Sequence, residues 1–268
     1  MSALKNGEFT KVDVDGRILT VTINRPDVMN AVHPMVSQEM SAIFDAFAED
    51  PELWIGIVTG AGDRAFSAGN DLKYHAELRA KSGARPASPT SGFGGLTNRH
   101  DLDKPLIAAV NGVAMGGGFE IALACDIIIA SDKARFALPE PRVGLSAGAG
   151  GMQRLARQIP LKKAMGMMLT GRHVPAAEGY ELGFVTAVVP HAEIMKEARR
   201  WADMILECSP MSIRATKQVV MRSLDNPIME VSMKNMRYPA YVAHRNSEDA
   251  IEGPKAFAEK RKPKWTGR

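Results

Sequence analysis

The chain has 268 residues, 45% hydrophobic and 24% charged, with a formal net charge of +4. That length can bury a sizeable core, and no apolar run approaches the ~20 residues that a membrane-spanning helix needs. The mild positive charge comes without a long basic run or interleaved aromatics, which argues against a nucleic-acid face yet suits a small polyanionic ligand.

The opening residues, MSALKNGEFTKVDVDG, show neither the apolar core of a secretory signal nor an Arg-rich transit pattern, so a cytoplasmic location is expected. Phe9 to Asn24 alternates on both sides of Asp15-Gly16, the signature of a β-hairpin. Arg25-Pro26 ends its second strand. From Val28 to Asp50 the apolar residues Met35, Met40, Ile43, Phe44 and Phe47 fall at helical spacing, until Asp50-Pro51 breaks the pattern. Trp54 to Thr59 reads as a buried strand, followed by the turn-rich GAGDRAFSAGNDLK. Ala80 to Asn98, rich in Gly, Pro, Ser and Ala, reads as a mobile surface loop or lid.

Leu106 to Val110 is a further strand, Asn111-Gly112 a turn, and three glycines then lead into the helix-favouring FEIALA. Ile127 to Ala130 is a strand, and FALPEPRVGLSAGAGG (Phe136 to Gly151) a loop that ends in a helix at Met152 to Gln158. Helical patterns dominate afterwards, apart from a short strand at Phe184 to Val189. Strands and helices in alternation indicate an α/β fold, and the strand-poor stretch from about Ile194 indicates a helical C-terminal region. The tail NSEDAIEGPKAFAEKRKPKW starts a helix with acids and ends it with cations, the order that the helix dipole prefers. Cys125 and Cys208 are too few for a disulfide framework and are expected as buried thiols.

Three glycine motifs invite chemistry. Gly60, Gly62 and Ala65 match a dinucleotide-binding turn, but AFSAGND continues where that motif needs a helix. Gly144-Leu145-Ser146-Ala147-Gly148 matches the nucleophile elbow GxSxG, although Pro139 and Pro141 occupy the place of its preceding strand; a serine hydrolase is therefore kept as the rival class. The glycines before Phe119 can bare peptide N–H groups at the positive end of a helix, a place for an anion or for a charge that develops during reaction. Equally, they can simply let a helix pack on a strand. An Ala-Gly step at Ala68-Gly69 could aim the N–H of Asn70 outward, and with that of Gly117 it would make an oxyanion hole if the fold brought them together. Glu120 follows the glycines, and Glu140 stands between two prolines, where partial desolvation would raise its pKa into acid/base range. Taken singly, Glu120 is a first-turn acid on a helix dipole and Glu140 a surface loop glutamate.

Together, NRPDVMNAV, AFSAGNDLK, KPLIAAVNGVAMGGGFEIALACD, FALPEPRVGLSAGAGGMQRL, TGRHVPAAEGYELGFVTAVV and AFAEKRKP span nearly the whole chain. In this order they resemble the crotonase (enoyl-CoA hydratase/isomerase) superfamily. The resemblance implies a spiral of ββα repeats over residues 1–195, with a helical trimerisation region over 196–268, assembled as a homotrimer or a homohexamer of paired trimers. It implies an acyl-CoA thioester substrate, its oxygen between the N–H groups of Asn70 and Gly117, and Glu120 and Glu140 as the catalytic pair of the members that hydrate double bonds. Ala68, Asp71, Leu72 and Lys73 match the stretch that meets CoA, and Phe257 and Lys260 match residues that reach the CoA of a neighbouring subunit. Hydration needs only proton transfer, so neither metal nor redox cofactor is expected. GNDLK, GFGGLT at Gly92 to Thr97 and the C-terminal tail are similar to the carnitinyl-CoA dehydratase (crotonobetainyl-CoA hydratase) branch. GAGG at Gly148 to Gly151 is more like a general enoyl-CoA hydratase. A binding member of the same fold without catalysis is the remaining alternative.

Overall fold

The computed structural model describes residues 4–82, 88–226, 228–234 and 236–268. The chain divides into two compact units, Met1–Arg99 with Leu106–Arg199, and His100–Pro105 with Arg200–Arg268.

In the larger unit, β1 (Thr10–Asp15) and β2 (Ile18–Ile23) form the expected hairpin. Its loop is Gly16-Arg17 rather than Asp15-Gly16: Asp15 still pairs with Ile18, and Gly16 supplies the left-handed turn residue at φ +59°. The first long helix, α1 (Pro34–Glu49), begins at Pro34, not at Val28. Met29 and Asn30 adopt left-handed backbone, and the buried Asn30 side chain accepts the Arg25 N–H while donating to the carbonyls of Ala61 and Ala65. That segment is thus bonded to its neighbours instead of to a helix. His33 then caps α1 by accepting the Val36 N–H through Nδ1, with Pro34 in the first helical position.

The later strands alternate between two sheets. β3 (Ile55–Gly60), β5 (Leu106–Val110), β7 (Ile127–Ser131) and β10 (Ala187–Val189) extend β2 in parallel, giving the order β1-β2-β3-β5-β7-β10. β4 (Ala65–Ser67), β6 (Val113–Met115), β8 (Arg135–Ala137) and β9 (Val174–Pro175) form the second sheet in the order β4-β6-β8-β9. Each winding runs from a strand of the first sheet round a corner to a short strand of the second and then into a helix. These are β3-β4 into α2 (Leu72–Ser82), β5-β6 into α3 (Gly117–Ala124), and β7-β8 into α4 (Gly151–Gln158). This is the expected spiral of ββα turns. Every residue of β3 and β5 is buried, which is why both read as continuous apolar runs rather than as alternating ones. The short strands β4, β6 and β8, three residues each, carry too little periodicity to be seen in sequence. Phe119 of α3, Phe136 of β8 and Phe184 meet with ring centroids 5.1–5.2 Å apart, and α5 (Leu161–Thr170) and α6 (Ala176–Leu182) lie between the last two in the chain.

Two expectations need correcting. The stretch read as a mobile surface lid is in part α2, and its end is packed: Gly94, Gly95, Leu96 and Thr97 are buried, and only residues 83–87 lie outside the described residues. Cys125 is buried as expected, but Cys208 is exposed, just beyond the end of α7 (Ile194–Leu206).

The smaller unit is helical, with α8 (Pro210–Ser223), α9 (Met229–Lys234), α10 (Pro239–Arg245) and α11 (Glu248–Ala258). Ser209 and Ser247 cap α8 and α11. The buried Asp249 accepts from the Ser209 hydroxyl and the Thr266 N–H, both at 2.8 Å, and so ties the chain's last residues to the start of α8. Among the described residues, no helix is long and apolar enough to cross a membrane.

Candidate active site

The start of α3 is built from close approaches that only glycine allows. Gly116 precedes the helix at φ +52°. A Cβ on Gly118 would stand 2.2 Å from the carbonyl oxygen of Ser67, so α3 rests directly on the backbone of β4. A Cβ on Gly117 would stand 2.3 Å from Cε1 of Phe93, whose ring therefore lies against the first peptide of the helix. Gly117 and Gly118 occupy the first two positions of α3, where backbone N–H groups have no partner within the helix.

The second N–H comes from the corner between β4 and α2. Val32 and Asn70 form an isolated parallel bridge: the Val32 N–H donates to the Gly69 carbonyl at 2.7 Å, and the Asp71 N–H donates to the Val32 carbonyl at 3.1 Å. In such a ladder the intervening residue turns its own N–H to the opposite side. Gly69, at φ +87°, brings this corner onto α3; a Cβ there would lie 2.9 Å from the nitrogen of Gly117. Among the described residues, neither the Asn70 nor the Gly117 N–H has an acceptor.

Glu120, one turn into α3, is buried, and its Oε1 accepts the Gly151 N–H at 2.8 Å, at the start of α4. It does not act as the solvated first-turn acid of the plainer sequence reading. Burial raises its pKa to about 7, reinforced by the charge of Glu140 and opposed by the backbone N–H groups of Gly151 and Ala149 and by Arg154. Glu140 opens the 3₁₀ turn Glu140–Val143. Its pKa is also raised, chiefly by burial, against the effect of its own backbone N–H. Its Oε1 faces Gly116, where a Cβ would be 2.9 Å away, and its Oε2 is buried without a hydrogen-bond partner among the described residues. Two carboxyl groups with raised pKa therefore flank one helix start, and the charge of Glu140 adds to the rise at Glu120.

The other expected residues separate. Asp71 has both carboxylate oxygens engaged, one by Arg25 at 2.8 Å and one by the Tyr74 N–H at 3.1 Å, so it ties α2 to the segment after β2. Leu72 and Lys73 are exposed, and Ala68 is half-buried, its N–H held by the Met29 carbonyl. In the smaller unit, Phe257 is 87% exposed on α11 and Lys260 lies just beyond it at φ +57°. Ser146 is exposed in a loop that follows a 3₁₀ turn, not a strand, so the nucleophile elbow is not formed. Neither does a helix open after Gly60 and Gly62, where β4 begins instead.

Sequence reasoning missed the Gly151 N–H and Arg154; it offers Phe93 and Tyr74 alike as possible pocket walls for a trimethylammonium substrate, without placing either. Arg154, half-buried on α4, donates to the Thr97 carbonyl at 2.7 Å, joining the Glu120 side of the site to the Phe93 segment. The Gly-Gly step before α4 was the available signal for the first, since it repeats the glycine-to-helix pattern of α3. Among the described residues, no three His, Cys, Asp or Glu side chains cluster to hold a metal.

Comparison with known proteins bears on the family and the fold. A family model described as enoyl-CoA hydratase/isomerase matches residues 13–268. Carnitinyl-CoA dehydratase of Escherichia coli (strain K12) is 44% identical over 259 residues, covering 95% of this chain and 97% of the relative. That of Proteus mirabilis (strain HI4320) is 44% identical over 258 residues, covering 94% and 96%. Among solved structures, enoyl-CoA hydratase from Mycobacterium tuberculosis H37Rv superimposes with a TM-score of 0.89 at 37% identity, covering 98% of this chain and all of that one. Enoyl-CoA hydratase from Bacillus anthracis does so with a TM-score of 0.86 at 31% identity, covering 97% and 100%.

Proposed function

The chain belongs to the enoyl-CoA hydratase/isomerase family, whose members act on CoA thioesters, and from that premise we propose that it is a carbon–oxygen lyase. It adds water reversibly, in the syn sense, to a trans-2-enoyl-CoA, and its substrate-specific form is crotonobetainyl-CoA hydratase/carnitinyl-CoA dehydratase, after its 44% identical relatives. The observation that carries this reading is a pair of carboxyl groups with raised pKa, Glu120 buried and Glu140 half-buried, beside two N–H groups that have no acceptor among the described residues.

The N–H groups of Asn70 and Gly117 polarise the thioester oxygen and stabilise the enolate-like charge that appears as water attacks C3. Glu120, oriented by Gly151, anchors and deprotonates that water. Glu140 supplies the proton to C2. With Glu120 raised to about 7, a neutral solution leaves the pair able to hold one proton and offer one base, which both directions of the reaction need. Water adds as hydroxyl at C3 and proton at C2 with no net gain or loss of electrons, so we assign no cofactor; CoA is part of the substrate. We assign residues 1–195 to this chemistry and 196–268 to assembly as a trimer or paired trimers, with Phe257 and Lys260 reaching a neighbour's CoA. Ala68, Leu72 and Lys73 are assigned to the bound CoA by resemblance.

Purified protein is to be mixed with crotonyl-CoA and with crotonobetainyl-CoA while the conjugated thioester absorbance is followed. Loss of absorbance is expected with both, and faster at low concentration with the second. No turnover of either would sink the hydratase reading. Nothing in the geometry favours a serine hydrolase.

A further inference from the structure

Phe93 reaches the site on a segment whose backbone is unusually constrained. Gly92, Gly94 and Gly95 all have positive φ, at +85°, +61° and +63°. The Gly94 N–H donates to the Ser37 hydroxyl at 3.1 Å. A Cβ on Gly95 would lie 2.3 Å from the Ser41 nitrogen, so the segment rests on the backbone of α1. Arg99 donates to the carbonyls of Gly95 at 2.7 Å and Ser41 at 2.8 Å and pairs with Asp45, while Arg154 holds the Thr97 carbonyl from the other side. Left-handed backbone at three of four positions, fixed on both flanks, holds one side chain still: the Phe93 ring, half-buried against the first peptide of α3.

We infer that Phe93 determines the acyl specificity of this site, its ring forming the wall on which a quaternary ammonium substituent at C4 of the enoyl group rests. The inference builds on the hydration reading above. An oxygen bound by the Gly117 N–H places C1 beside that peptide, and a substituent at C4 lies within the reach of a ring that already touches Gly117. An aromatic ring attracts a trimethylammonium group through its quadrupole without requiring a counter-ion, and the attraction grows where water is excluded. Glu120 and Glu140 also face the site and attract any cation, but their pKa values are raised and their proton is needed for the chemistry. A neutral ring is thus the group able to hold the cation without titrating.

The test compares crotonobetainyl-CoA with its uncharged isostere, 5,5-dimethylhex-2-enoyl-CoA, in which a tert-butyl group replaces the trimethylammonium. Crotonyl-CoA serves as the control. The wild type is expected to favour the cation over the isostere in kcat/KM. Phe93→Leu, of similar volume, is expected to lose roughly 10- to 30-fold on the cation alone. Phe93→Trp keeps the preference. Should Phe93→Leu fail to fold, the Trp variant decides: a retained or increased preference supports the ring, and its loss overturns it. Equal losses on both substrates, or a preference that survives in Phe93→Leu, overturn the inference while leaving the hydratase reading intact. Failure of the wild type on crotonyl-CoA as well would instead overturn that reading, and this inference with it.

Discussion

At the scale of single residues, the two carboxyl groups are distinguishable by what they touch. Glu140 has a buried oxygen without a partner among the described residues, as suits a group that waits for a proton to transfer. Glu140→Gln is therefore expected to lose roughly 10²- to 10⁴-fold in kcat on crotonyl-CoA, with thioester binding by calorimetry largely kept. Near wild-type turnover would remove it from the mechanism. Glu120 leaves a mark on stability as well. Burial raises its pKa from the ordinary ~4.3 to about 7, so the folded chain holds the proton more tightly than the unfolded one. Its contribution is greatest below about pH 4, falls as pH rises, and is lost once pH passes about 7. Glu120→Gln keeps an acceptor for the Gly151 N–H and carries no charge. It should melt close to wild type at pH 4 and be more stable at pH 8, on the order of 3 kcal/mol. A difference between the proteins that does not change with pH would refute the assignment.

At the scale of elements, glycine substitutions separate close approach from mere flexibility. Gly118 and Gly166 both lie in helices, Gly118 in the first turn of α3 and Gly166 in the middle of α5, so helix propensity alone does not make alanine unfavourable at either. At Gly166 nothing lies within 4 Å of a new Cβ, and Gly166→Ala should stabilise by about 0.5–1 kcal/mol. At Gly118 the new atom meets the Ser67 backbone at 2.2 Å, which cannot swing aside; Gly118→Ala should destabilise by about 3 kcal/mol or more in denaturant titration. Equal effects would mean that α3 does not need β4 at this distance. The same contrast marks what was legible in the sequence. Long periodic or continuously apolar elements, such as α1, β3 and β5, declare themselves. The corner strands β4, β6 and β8 do not, because each is defined by its neighbour in the second sheet rather than by its own pattern. Both N–H donors and both glutamates were nameable from residue type and resemblance. That Gly69 presses on Gly117, or that Phe93 covers it, depends on contacts between segments far apart in the chain. The start of α1 was misjudged for a like reason, since the buried Asn30 finds its partners beyond β3.

For the whole molecule, exposed apolar side chains bear on assembly. Phe257 is 87% exposed and Leu169 69%, apolar area that association would remove from water. Light scattering should return a mass three or six times that of the chain. Because Phe257 has little packing to lose within its own chain, Phe257→Ala should leave the melting temperature unchanged and raise KM for CoA thioesters with kcat largely kept. A monomer, or an unchanged KM, would end the idea of a site completed by a neighbour. The winding has one more consequence. The N–H donors and carboxyl groups arrive on the corners that lead into α2, α3 and α4, whereas Phe93 arrives on the crossover between α2 and β5. Chemistry and choice of substrate are thus encoded in separable stretches of the gene. A lineage can retune which acyl group it accepts by changing the side chain at position 93 alone, so long as the backbone that carries it keeps its bonds to Ser37 and Arg154.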